Sequence, residues 1–208
     1  ALAEGNGAKP VYLQLDIFDP HNPFSIPAGF EEREKELRAV FSKLPASYDA
    51  CLARDWAPDP AMPRIYNFYQ KNWGMYTREL ITDYRVANAL QMEVVDHALA
   101  RFVAGLKERG LYDEAVVIFT ADHGEMNGRH GLCDKGVYLY PDTLRVPLAV
   151  KMPSSSGIKP HVVDAPVSHL DLAPTLLQLA GIAPEARRDG RSLLPYLERT
   201  GAPVDREL

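Results

Sequence analysis

A long amphipathic helix followed at once by a buried strand limits most strongly how this chain can fold. From about Tyr76 to Arg109, apolar residues recur at three- and four-residue steps, which places them on one face of a helix. Gly110 provides a helix stop, and the run "EAVVIFTADHG" then has the consecutive apolar residues of a strand covered on both faces. This alternation predicts an α/β fold in which helices cover a mainly parallel sheet.

Two other apolar runs predict neighbouring strands of the same sheet. "VYLQLDIF", residues 11–18, is bounded by prolines and reads as a buried strand, and "RVPLAVKM", residues 145–152, supplies a third. The runs at 11–18, 115–121 and 146–151 are therefore expected to lie side by side. The stiff turn "DPHNPF" follows the first strand and carries His21.

Helices are predicted on either side of these strands. A charged helix should run from Glu31 to about Leu44, and Asp171 can cap a last helix that Gly181 ends. Between them lies a proline- and aromatic-rich segment, Pro45 to about Trp73, that shows little periodicity and is expected to be an insertion that is either functional or disordered. Residues 1–208 are predicted to form a single α/β domain.

Composition excludes several classes of function. The net charge is −5 with no basic stretch, which argues against a nucleic-acid partner. No run of eighteen apolar residues is present, so no membrane span is expected, and the start "ALAEGNGAKP" has no signal-peptide pattern. Cys51 and Cys133 lack metal or redox spacing and are expected to be free thiols, which leaves the compartment open.

The loop "TADHGEMNGRHGLCDKG", residues 120–136, concentrates the residues capable of chemistry. Asp122 and His123 follow a predicted strand, where α/β sheets place their ligands, and their oxygen and nitrogen atoms suit a divalent cation. Lys135 can bind an anion. Taken singly, Asp122, His123 and Lys135 are more typical of an ordinary turn or surface, and His130 between two glycines is ambiguous.

Read together, the loop residues have the pattern D-H-G-x-x-x-G-x-H-G-x-x-x-K, followed by a tyrosine and then "RVPL". This pattern resembles the C-terminal part of the sulfatases, within the alkaline-phosphatase-like superfamily. "LQLDIFDPHNPF", "VVDHALARFVAGLKERGLYDEAVVIFTADHGE" and "VSHLDLAPTLLQLAGI" with "GRSLLPYL" are similar to other blocks of that family in the same order. The resemblance implies an alkaline-phosphatase-like α/β fold of which this chain is an incomplete, C-terminal part.

The resemblance also implies roles in metal-assisted hydrolysis of a small-molecule or glycan sulfate ester. Asp122 and His123 would be ligands of a divalent cation, Ca²⁺ first, with Mn²⁺, Mg²⁺ or Zn²⁺ as alternatives. Lys135 would bind an oxygen of the transferred group, and His21 would contact the same group or the leaving oxygen as a hydrogen-bond donor or acid. His130 would either bind substrate or shape the loop. Fixed cations and a proton donor stabilise the negative charge that develops during such a reaction.

The family's nucleophile, a cysteine in C-x-[PA]-x-R that becomes formylglycine, has no match in this sequence. Arg54 follows Cys51 by three residues where the pattern needs four, and the family's opening acidic pair is absent too. Formylglycine is therefore expected in a missing portion, and the chain alone is expected to bind metal weakly and to be inactive. A sheet without its central strands would have an exposed edge and favour self-association.

Two other functions stay open at this stage. The first is a phosphodiesterase or phosphonate monoester hydrolase of the same superfamily acting on a phosphate ester, which the nucleophile would distinguish. The second is a non-catalytic sulfatase-like binding module, which activity of the parent protein would distinguish. The substrate and the oligomeric state cannot be read from the sequence.

Overall fold

The predicted long helix is present and organises the larger part of the chain. The computed structural model describes residues 11–45, 48, 60–75, 77–183 and 189–200. These residues fall into two compact units, Asp16–Lys151 and the described part of 1–15 and 152–208.

The unit Asp16–Lys151 is built around one long helix. In chain order, the helices and strands described in it are α1 (Glu31–Phe41), α2 (Arg64–Trp73), α3 (Arg78–Glu108), β1 (Val117–Thr120), α4 (Pro141–Leu144) and β2 (Leu148–Lys151). Helix α3 begins after Thr77, whose hydroxyl accepts a hydrogen bond from the Leu80 amide at 3.1 Å. It ends before Gly110, which has φ +66°, so the predicted helix and its glycine stop are confirmed.

Helix α1 packs along α3 as an amphipathic surface helix. Leu37 of α1 is buried with Val86 and Leu90 of α3, and removing these apolar side chains from water stabilises the pair. Arg38 adds an ion pair with Asp83 across the same interface. The charged helix predicted from residue 31 is therefore confirmed, with its end at Phe41.

Two of the three predicted strands are present and lie side by side. Strands β1 and β2 pair in register from Val117 opposite Lys151 to Thr120 opposite Leu148. The pair is antiparallel, because the chain between the two strands folds back on itself. The predicted adjacency of these two strands is confirmed, whereas the predicted mainly parallel sheet is not.

The prediction of a buried strand at residues 11–18 is wrong for this structure. The segment has no regular secondary structure, and Val11, Tyr12 and Phe18 are exposed. A strand needs neighbours to pair its backbone amides and carbonyls, and in the described residues none runs beside this segment. Apolar content alone therefore predicted a strand for which the described residues provide no pairing partner. The expected self-association through an exposed sheet edge stays a prediction.

The segment from Pro45 to Trp73 contains more regular structure than its composition predicts. Helix α2 occupies Arg64–Trp73, contrary to the expectation of little periodicity. The prolines misled the prediction, because Pro63 directly precedes the helix instead of interrupting it. Cys51, Arg54 and most of residues 46–59 lie outside the described residues.

The second unit contains α5 (Leu172–Leu179) and α6 (Leu194–Leu197). Asp171 is predicted from the sequence to cap α5. It stands at the N-cap position of that helix, but its side chain makes no capping hydrogen bond to it. Its carboxylate accepts the Ser168 and Arg191 amides, each at 2.8 Å, and so closes a capping box around the preceding turn. Gly181, with φ +69°, ends α5 as predicted. In the part of the chain that the structure describes, no helix is both long and apolar enough to cross a membrane.

Candidate active site

His21 and Lys135 meet although they are 114 residues apart in sequence. Lys135 Nζ lies 2.5 Å from His21 Nε2, and both residues are partly buried. The imidazole also stacks on the ring of Phe18, with ring centroids 4.6 Å apart. The turn after residues 11–18 and the loop after β1 therefore place a cationic and a titratable side chain at one point.

Hydrogen-bond geometry determines which nitrogen of His21 carries the proton. Nδ1 lies 2.6 Å from the Asn22 carbonyl, which can only accept, so Nδ1 must be the donor. The ammonium of Lys135 can only donate, so Nε2 accepts from it. His21 is consequently a neutral Nδ1–H tautomer, and it can act as the expected proton donor at Nε2 only after Lys135 has turned away and Nε2 has gained a proton.

Asp134 orients the lysine that follows it. Its carboxylate accepts the Lys135 backbone amide at 2.7 Å and lies 3.2 Å from Lys135 Nζ. Partial burial opposes ionisation of this carboxyl, but the Lys135 amide and ammonium outweigh it and hold the pKa of Asp134 below its usual value. An ionised Asp134 therefore keeps the ammonium in place between a carboxylate and an imidazole.

A hydrogen-bonded chain continues from Asp134 into the core. The Asp134 amide donates to the Tyr84 hydroxyl at 3.1 Å, and this hydroxyl donates to Glu125 Oε1, also at 3.1 Å. Burial raises the pKa of both Tyr84 and Glu125. Glu125 belongs to the charged loop 120–136, whereas Tyr84 does not stand out in the sequence. Tyr84 and Asn88 are polar interruptions on the Ile81 face of α3, a signal that could have indicated Tyr84.

Asp122 and His123 lie together at the end of β1. Asp122 Oδ2 and His123 Nε2 are 3.4 Å apart, and the aspartate side chain is 85% exposed. His123 Nδ1 lies 2.9 Å from the Gly124 carbonyl, to which it must donate, so the lone pair of Nε2 is available to a metal ion. Two donors at about 2.0–2.6 Å from one cation and roughly at right angles stand about 2.8–3.7 Å apart, so this pair fits two adjacent ligand positions.

This pair does not form a complete metal site. Within the described residues no three histidine, cysteine, aspartate or glutamate side chains are grouped to hold a metal ion. The donor set therefore fits two positions of a divalent cation's shell and leaves the others to different ligands.

His130 stacks on Tyr140, with ring centroids 4.2 Å apart and planes 15° from parallel. Its φ of +56° is left-handed, and it lies between Gly128 and Gly131, both also at positive φ. This arrangement turns the loop sharply and fits the loop-shaping role, one of the two roles that the sequence leaves open for His130.

Gly124 is required by a close approach of two backbone segments. A Cβ at this position would lie 2.0 Å from the Asp142 carbonyl oxygen, and the Gly124 amide donates to the Thr143 carbonyl at 2.8 Å. The loop after β1 is thus held against α4, which positions Asp122 and His123.

Gly124→Ala is expected to destabilise the chain by about 1–3 kcal/mol, because the methyl group forces two backbone segments apart. Gly105→Ala is the matched control, since that glycine lies in α3 and its added Cβ would meet only the flexible end of Arg109. The control should be neutral or gain up to about 1 kcal/mol. Urea unfolding of both variants is the measurement, and equal stability of the two would contradict the close approach.

Cys133 is a buried thiol rather than half of a disulfide, as predicted for this cysteine. Burial, reinforced by the charges of Glu125 and Asp134, raises the pKa of Cys133 to about 12. Iodoacetamide should therefore label Cys133 at pH 8 at least about tenfold more slowly in the folded chain than in urea. Peptide mass spectrometry checks this site separately from Cys51, and equally fast labelling in both states would show that the thiol is accessible.

Comparisons with known proteins identify the family of the chain. The Sulfatase family model matches residues 1–182. The sulfatase YidJ of Escherichia coli K12 is 30% identical over 203 residues, which are 95% of this chain and 37% of YidJ. The chain thus spans little more than a third of the length of that relative.

Solved structures give the same result for the fold. The phosphonate monoester hydrolase of Agrobacterium radiobacter superposes with a TM-score of 0.71 at 27% identity, over 91% of this chain and 38% of that protein. BT4656, solved in complex with its substrate D-glucosamine-2-N,6-O-disulfate, gives a TM-score of 0.52 at 26% identity, over 69% of this chain and 29% of its own.

Proposed function

Because the chain belongs to the sulfatase family, we propose that it supplies the sulfate-binding side chains and part of the metal site of a sulfuric ester hydrolase. The observation that carries this proposal is the contact between Lys135 Nζ and His21 Nε2 at 2.5 Å. It joins the two motif residues that the family resemblance assigns to the transferred group.

Lys135 and His21 act on the sulfuryl group itself. The ammonium of Lys135 donates to a sulfuryl oxygen, which stabilises negative charge that increases as the ester bond breaks. When the ammonium donates to that oxygen instead of to His21, Nε2 of His21 can take a proton from water and pass it to the leaving oxygen. The Nδ1–H bond to the Asn22 carbonyl keeps the ring oriented throughout.

Asp122 and His123 hold a divalent cation, with Ca²⁺ as the first choice and Mn²⁺, Mg²⁺ or Zn²⁺ as alternatives. Bound there, the cation would polarise the sulfuryl group as a Lewis acid. The 3.4 Å spacing of the two donor atoms and the Nδ1–H bond from His123 to the Gly124 carbonyl support these ligand roles. The attacking group that we propose is formylglycine, for which these 208 residues contain no matching motif.

The proposed substrate is a sulfate ester of a small molecule or a glycan. BT4656, to which the chain is similar, is described with a disulfated glucosamine as its substrate. A sulfate ester presents three equivalent oxygens, so one ammonium, one imidazole and one cation can each engage the group from a different side.

Hydrolysis of 4-nitrophenyl sulfate tests the proposal. The protein expressed from its complete reading frame, supplied with Ca²⁺ or Mn²⁺, should release 4-nitrophenol. Retention of that activity in the His21→Ala, Lys135→Met double variant would mean that this pair is not the sulfate-binding site.

Hydrolysis of phosphonate monoesters is a second candidate, favoured by the TM-score of 0.71 to the A. radiobacter enzyme. The same cations and imidazole can hold a tetrahedral phosphonate. The ratio of kcat/KM for 4-nitrophenyl sulfate to that for 4-nitrophenyl phenylphosphonate distinguishes the two, and a ratio above one is expected for a sulfatase.

A further inference from the structure

The contacts that the loop 120–136 makes with the core indicate a role for a residue outside the family motif. We propose that Tyr84 of α3, acting through Asp134, is a positioning residue that holds Lys135 against His21. This inference rests on the proposed function, because it assigns Tyr84 to the geometry of the proposed anion site.

The hydroxyl of Tyr84 has one hydrogen and two lone pairs, so it can donate one hydrogen bond and accept others, and in this structure it does both. Its hydrogen goes to Glu125 Oε1 at 3.1 Å, and a lone pair accepts the Asp134 amide at 3.1 Å. Helix α3 is thereby tied to both ends of the loop segment 125–134. The tyrosine ring is itself fixed by an edge contact with Phe24, at 4.6 Å between centroids.

Asp134 needs this support because its backbone is left-handed, with φ +66°. For residues other than glycine this conformation is unfavourable, and it persists only where its surroundings hold it. The bond from the Asp134 amide to Tyr84 and that from the Met126 amide to the Asp134 carbonyl at 3.3 Å provide such restraints. Holding Asp134 in this conformation aims its carboxylate at the Lys135 amide and ammonium.

Without the Tyr84 hydroxyl, the Asp134 amide and a Glu125 oxygen both lose a partner in a half-buried place. The loop can regain those bonds by rotating toward water, and that rotation takes the Asp134 carboxylate, and with it Lys135, away from His21. Tyr84 therefore acts on the anion site without touching an anion.

Nitrogen-15 NMR of His21 in the protein expressed from its complete reading frame tests this role. Lys135→Met defines the position of the Nε2 resonance when the ammonium is gone. Tyr84→Phe should move the resonance toward that position and weaken binding of inorganic sulfate about tenfold. Combined with Lys135→Met, it should cause no further movement, because an effect that passes through Lys135 disappears with Lys135. Tyr48→Phe is the matched control, since its hydroxyl donates to the Asn127 carbonyl.

The outcomes separate the two proposals. If the His21 resonance of the complete wild-type protein does not respond to sulfate, the assignment of the anion site itself is wrong. If the wild type responds but Tyr84→Phe leaves both the His21 resonance and the sulfate affinity unchanged, the positioning role is overturned. It is also overturned if Tyr84→Phe moves the resonance by the same amount in the Lys135→Met background as in the wild type.

A second variant covers the case in which Tyr84→Phe does not fold. Asp134→Gly suits the left-handed backbone but removes the carboxylate that holds Lys135. It should move the His21 resonance in the same direction, and an unmoved resonance would equally overturn the role.

Discussion

Replacing Lys135 with methionine is expected to lower kcat/KM for a sulfate ester by about 10²–10³-fold in the protein expressed from its complete reading frame. Methionine keeps the length and apolar stem of lysine but removes the charge that is placed 2.5 Å from His21 Nε2. Most of the loss should appear in kcat, because the charge on the sulfuryl oxygens is greatest in the transition state.

Lys35→Met is the matched control for this prediction. Lys35 is an exposed lysine of α1 paired with Glu32 at 2.7 Å, and its loss should leave kcat/KM unchanged. A Lys135→Met enzyme within threefold of the wild type would contradict the assignment of Lys135 to the transferred group.

Asp122→Ala is expected to abolish measurable activity and to weaken Ca²⁺ or Mn²⁺ binding by more than about tenfold. The substitution removes the carboxylate whose oxygen stands 3.4 Å from His123 Nε2, so the cation would lose one of the two ligands that we propose for it in this chain. Isothermal titration calorimetry measures the affinity. Because the side chain is 85% exposed, the fold should survive and the unfolding midpoint without metal should stay close to that of the wild type.

Asp96→Ala provides the comparison for Asp122. Asp96 is an exposed carboxylate on α3, and its removal should change neither metal affinity nor turnover. Unchanged metal binding in Asp122→Ala would exclude this aspartate as a ligand, whatever the effect on activity.

The elements that could be predicted from sequence are those whose signal is local. Helix α3 carries its pattern within itself, with a cap at Thr77 and a stop at Gly110, so no distant residue is needed to recognise it. The strand predicted at 11–18 failed for the opposite reason, because a strand depends on the neighbours that pair with it. Helix α2 was missed because its aromatic and polar residues follow a proline-rich stretch that resembles a loop.

In the candidate site, too, the local features could be predicted from sequence and the contacts between distant residues could not. Asp122 and His123 are adjacent in sequence, so their proximity could be predicted from the loop alone. That His21 lies near Lys135 came from family resemblance, since no periodicity links residues 114 positions apart. The tautomer of His21 and the link from Tyr84 to Asp134 depend on hydrogen bonds formed across space, and only the structure reveals them.

A crystal structure of the protein with tungstate tests most directly whether His21 and Lys135 form one oxyanion site. Tungstate is a tetrahedral oxyanion like sulfate, and its metal gives an anomalous signal that locates it unambiguously. We expect one strong peak whose oxygens are within hydrogen-bonding distance of both Lys135 Nζ and the His21 ring, with these two groups further apart than 2.5 Å. A peak elsewhere, with the contact between His21 and Lys135 intact, would contradict the account.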